Sequence, residues 1–134
     1  MAFINKIFLI YVFVCVIPVY AEKEISHEER PPGYTGKCKT IKSDGSVYES
    51  EFVKGIAHGK NFDWGASGRL VREGYYLHGK SHGAWTFYDT DGDIQFVRIK
   101  EKGKISREIH YDNGKIIADG QYKDGKRWNG IFRA

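Results

Sequence analysis

The chain has 134 residues, a length that suits one domain. Its formal charge of +4 is small and spread along the sequence, with no block of like charge, so composition demands no nucleic-acid partner. Aromatic residues make up 15% of the chain and cysteines number only two, which excludes a disulfide scaffold and points to aromatic burial as the source of stability.

The first 21 residues read as a cleaved secretory signal peptide. Asn5-Lys6 gives a short, weakly positive start, Ile7–Ile17 is an unbroken apolar run, and Pro18 ends it. Val19-Tyr20-Ala21 then supplies a cleavage site before the polar Glu22-Lys23-Glu24. An uncleaved membrane anchor is the weaker reading, because the fifteen residues from Ile7 to Ala21 fall short of the roughly twenty that a span needs. A lipoprotein site at Cys15 is disfavoured by Val14 before it and by the apolar residues after it. The expected location is periplasmic or secreted. Of the two cysteines only Cys38 then remains, so the mature chain holds no internal disulfide. Cys38 is expected as a half-buried strand residue.

Residues 22–32 are rich in Glu, Lys, His, Arg and Pro and hold one aliphatic residue, Ile25, so a flexible linker is predicted there. From Gly33 to Ala134 aromatic residues, β-branched residues and glycines take over, and helical periodicity is absent. Asp44-Gly45, Ser67-Gly68, Asp91-Gly92 and Asn113-Gly114 recur at spacings of 23, 24 and 22 residues, and are read as type I′ hairpin turns. A second glycine series, Gly55, Gly79, Gly103 and Gly125, lies between them, and a third, Gly59, Gly83 and Gly130, follows shortly after. The intervening segments alternate with the period of half-buried strands, as in Asp93–Lys100, with phase shifts that suggest bulges. Stacked on one another, the units repeat an acid (Glu49, Glu73, Asp119), a small residue (Ser50, Gly74, Gly120) and an aromatic (Phe52, Tyr76, Tyr122). The aromatics are predicted to form one stripe, and the small residues to make room for neighbouring rings.

This acid-Gly-x-aromatic-x-x-Gly-Lys-x-His-Gly pattern resembles the MORN repeat, and more closely its bacterial variant, whose members are often labelled antitoxin components of toxin–antitoxin systems. Glu73–Tyr88 matches best. The unit beginning at Asp93 departs, with Lys100 in place of the aromatic and Arg98 in place of the small residue. The resemblance implies an all-β fold: tandem β-hairpins in one elongated, twisted antiparallel sheet of about eight or nine strands. A lone hairpin is marginal in water, so each unit would depend on the next.

Catalytic, cofactor and metal chemistry find no footing. His58 and His82 occupy equivalent repeat positions, two strands and roughly 9–10 Å apart, too far to share a zinc ion. Asp89–Asp93 lacks the glycine and the glutamate of a calcium loop. There is no Gly-x-Ser-x-Gly elbow, and Gly74 to Ser81 resembles a phosphate loop only until a helix is required. A non-enzymatic interaction or scaffold module is therefore expected, without cofactor or metal. Its candidate surface is Trp64, Tyr76, Trp85, Tyr88, Tyr122 and Trp128 with Lys80 and Lys126, joined by Lys60 and Lys104. The expected partner is a protein. Rival readings are an anionic lipid or membrane surface, reached through alternating basic and aromatic residues, and an antitoxin-like neutraliser, implied by the resemblance alone. Open sheet edges also predict end-to-end self-association.

Overall fold

A computed structural model describes residues 25–131, and the expected signal peptide lies outside them. The described chain is all-β: nine consecutive antiparallel strands form one open sheet in strict chain order, and no helix occurs among the described residues. The strands are β1 (Gly36–Ile41), β2 (Val47–Val53), β3 (Ile56–Trp64), β4 (Leu70–Leu77), β5 (Lys80–Tyr88), β6 (Ile94–Glu101), β7 (Lys104–Asp112), β8 (Lys115–Lys123) and β9 (Lys126–Ile131).

The turns differ in kind between the two edges, and the type I′ geometry sits mostly on the second glycine series. Lys54-Gly55, His78-Gly79, Lys102-Gly103 and Asp124-Gly125 have positive φ at both residues, as a type I′ turn requires. Of the four turns expected to take this form only Asn113-Gly114 does. At the other three the glycine alone has positive φ, and the loop is longer: Gly45 N–H donates to Lys42 O and Lys42 N–H to Ser46 O, each at 2.9 Å. This is a type I turn closed by a glycine bulge, repeated at Gly65–Arg69 and Asp89–Asp93. The Asp89 carboxylate serves this turn, accepting from the N–H groups of Asp91 and Asp93 at 2.9 and 3.0 Å.

The short turns also lock successive hairpins together. Gly79 N–H donates to Ala57 O at 2.8 Å, and Gly103 N–H to Ser81 O at 2.9 Å, each reaching back to the preceding hairpin. Lys102 holds a left-handed conformation (φ 50°) that suits asparagine better. Lys102→Asn is therefore expected to stabilise the fold by roughly 0.5–1 kcal/mol, read as a higher urea midpoint with an unchanged slope.

Cross-strand register divides the side chains between two faces. One row runs along the middle of the first face: Cys38, Ser50, Asn61, Gly74, Trp85, Arg98, Glu108, Gly120 and Gly130. The most deeply buried side chains all belong to it, with Cys38 and Asn61 at 0% and Trp85 at 2% exposure. The layer is single, so a ring in this row packs only by lying over a small residue on a neighbouring strand. Gly74 is the clearest case, since a Cβ added to it would stand inside the Trp85 indole. Asn61 takes the equivalent place one hairpin earlier, donating from Nδ2 to Ser50 Oγ and Glu49 O, both at 2.9 Å.

Residues 25–32, expected as a tether, are docked on the sheet. Ile25 bridges Cys38 in parallel, and its carbonyl accepts from Lys39 N–H at 2.9 Å. The His27 ring lies 4.8 Å from that of Tyr48, and the Arg30 guanidinium stands 3.7 Å above Phe52. Poverty in aliphatics forbids an apolar core of its own, but cation–π and hydrogen-bond contacts need none.

Candidate functional site

The aromatics proposed from sequence do not share one surface. Tyr76, Trp85 and Tyr122 belong to the first face, whereas Trp64 and Tyr88 belong to the second. Trp85 is a core residue, enclosed by Gly74 beneath it and by the edge of Tyr76, centroids 5.1 Å apart. Trp128 is 67% exposed, with the Lys123 ammonium 4.8 Å from its centroid. Lys80 and Lys126 are exposed and directly follow the short turns at His78-Gly79 and Asp124-Gly125. Phe52, Tyr76 and Tyr122 do fall on the same face, each two residues beyond its small partner, and Lys100 takes that place on β6.

The first face is built from cations interleaved with rings. Arg72 pairs with Asp63 and lies 5.4 Å from the Trp85 ring and 5.9 Å from that of Phe87. Arg98 pairs with Glu108 and faces Phe96 at 4.8 Å and Phe87 at 5.3 Å. Phe87 and Phe96 stack at 4.3 Å, and His110 continues the ladder 5.4 Å from Phe96 while its Nε2 stands 2.7 Å from Glu108 Oε1. Burial pushes the Glu108 carboxyl up, but bonds from Arg98 and His110 and their charge outweigh it and hold the group below its ordinary value. The Lys100 ammonium sits 4.9 Å from the Trp85 centroid. Burial, then the charges of Arg98 and Arg72, lower its pKa.

The second face carries the repeated acids, each engaged across strands. Glu49 lies 3.6 Å from the Lys39 ammonium, Asp119 accepts from Arg107 at 2.8 and 2.5 Å, and Glu73 accepts from the Tyr88 hydroxyl at 2.5 Å. The bond to Glu73, then burial and the charge of Glu73, push the Tyr88 phenol up to about 12. A phenol raised in the fold stabilises it below the ordinary value of 10, and that contribution is lost as pH rises from 10 to about 12. Ultraviolet difference titration should find a late-ionising tyrosine near the upper limit that Tyr88→Phe lacks, and the stability of that variant should vary less with pH between the two limits.

Beside the acids, at the edge holding the longer turns, apolar residues line up in cross-strand groups. Ile41, Val47, Trp64 and Leu70 face one another in succession, Tyr88 faces Ile94, and Tyr111 faces Ile116. Ile41 is 69% and Ile116 56% exposed. The histidines fall elsewhere: the His58 ring stacks edge-on with that of His78 at 5.0 Å. Among the described residues no group of three or more His, Cys, Asp or Glu is placed to hold a metal ion.

Sequence reasoning passed over Asp63, Arg72 and Glu108, and met Arg98 only as a departure of the third unit, where charge replaces a small residue and a ring. No protein-family model matches the chain, and no curated protein matches it either.

Proposed function

We propose that the chain is an exported, non-catalytic scaffold of MORN-type hairpins that holds a protein partner against its open sheet. The observation that carries this reading is the apolar row of the second face. A single-layer sheet has no second layer of its own to cover such residues, and contiguous exposed apolar surface marks a contact site. The repeated acids speak for a recognition surface rather than a reaction centre, because each is tied to a cross-strand partner.

Chemical cross-linking in cells, followed by recovery of the tagged chain, tests the proposal. A specific protein adduct that disappears in Ile41→Glu/Ile116→Glu supports it; a folded chain giving no adduct overturns it. A second reading, docking on an anionic membrane, is favoured by the exposed Trp128 beside Lys123, Lys126 and Arg127. Salt-sensitive sedimentation with anionic vesicles, lost in Trp128→Ala, would establish it.

A further inference from the structure

Lys100 is the residue whose place in the fold its own packing does not explain. Equivalent strand positions carry rings, Phe52, Tyr76 and Tyr122, and a ring would pack there on Trp85. The lysine instead brings a half-buried ammonium to the middle of the first face, 4.9 Å from the Trp85 centroid. Arg72 lies 5.4 Å from the same ring, and Arg98 is directly opposite Trp85 in the register. Each arginine has its own carboxylate, Asp63 and Glu108, and among the described residues no carboxylate pairs with Lys100. Two arginines and the protonated lysine against two carboxylates leave one positive charge. A partly desolvated charge of this kind is costly unless something neutralises it.

We propose that Lys100, flanked by Arg72 and Arg98 above Trp85, receives one carboxylate side chain from an acidic peptide segment of the partner. The assignment rests on the scaffold reading above and names the partner's chemistry. A single carboxylate brings the cluster to neutrality, whereas a phosphate dianion overshoots and is repelled by Asp63 and Glu108. The surrounding rings, Tyr76 and Phe96, suit the peptide that carries the acid better than a free ion. The depressed lysine pKa agrees: the fold disfavours the ammonium as it stands, and an incoming carboxylate reverses that.

The test uses the chain purified as the cell processes it, with the three indole N–H signals assigned by Trp→Phe substitution. A blocked hexaglutamate peptide is expected to shift the Trp85 signal saturably, and hexaglutamine is not. Lys100→Gln should weaken the hexaglutamate affinity at least tenfold without lowering the thermal midpoint. Lys100→Tyr, which restores the repeat ring, should abolish the response and raise the midpoint. Equal affinity in Lys100→Gln, an equal response to hexaglutamine, or a Trp85 shift with inorganic phosphate or anionic vesicles but not with the peptide overturns the assignment. The scaffold reading fails separately: a cross-linked partner retained equally by Lys100→Gln removes only the acidic-segment assignment, whereas absence of any adduct removes the scaffold reading itself.

Discussion

Trp85→Ala is expected to cost the fold about 3–5 kcal/mol, the range for emptying a large aromatic from a core. A domain of this size commonly holds only about 5–15 kcal/mol in total, so the variant should be largely unfolded at moderate urea concentration. The loss is this large because Trp85 is one of two buried hydrophobic side chains among the described residues, and it joins β4, β5 and β6 through Gly74, Tyr76 and Lys100. Gly74→Ala should approach the same result from the opposite side, by overpacking, at about 1–3 kcal/mol. The two effects share one contact. In the Trp85→Ala background the Gly74→Ala substitution should be close to neutral, and a double-mutant cycle by urea unfolding measures this coupling. Additive losses would show that the indole does not rest on the glycine.

A chain shortened to begin at Gly33 is expected to lose on the order of 2–3 kcal/mol and to acquire a reactive thiol. The cost comes from the Arg30 contact with Phe52 and from two hydrogen bonds, backbone Lys39 N–H to Ile25 O and backbone His27 N–H to the Thr40 side-chain Oγ1, each contributing about 1 kcal/mol. With residues 25–32 in place Cys38 is fully buried, and burial pushes its thiol up against a smaller opposing pull from Arg30. Removing residues 25–32 opens one flank of β1, so thiol titration of the native protein should pass from slow to rapid modification. A shortened chain that is as stable and as unreactive as the one that keeps them would mean that these residues do not cover the strand.

Glycine punctuation made the strands legible, because a turn that needs positive φ admits few other residues. The kind of turn was not legible. Asp44-Gly45 and Asp91-Gly92 carry the favoured dipeptide yet sit in longer loops, whereas Lys54-Gly55 and His78-Gly79 make tight turns with first residues that advertise nothing. Loop length decides the geometry there, and it depends on where pairing stops. The site was harder to read for a related reason. Bulges beside Asp63, Phe87 and His110 change which residues face which way, so ring positions counted along the chain scatter over two faces. Trp85 and Trp128 have the same chemistry, and only the register shows one enclosed and the other open. Lys100 stood out from the repeat pattern, but its meaning came from Arg72 and Arg98, which no spacing rule joins to it.

Strand order that follows chain order has an evolutionary consequence. No segment closes a long excursion, so the array can gain or lose whole hairpin units without retracing its path. Excising Gly55–His78 would join Lys54 to Gly79, two residues already suited in conformation to the same turn, and leave the flanking strands in a pairable order. Reach, and with it the span of any ligand lying along the sheet, can thus be tuned by copying or deleting modules while the chemistry at one rung stays untouched.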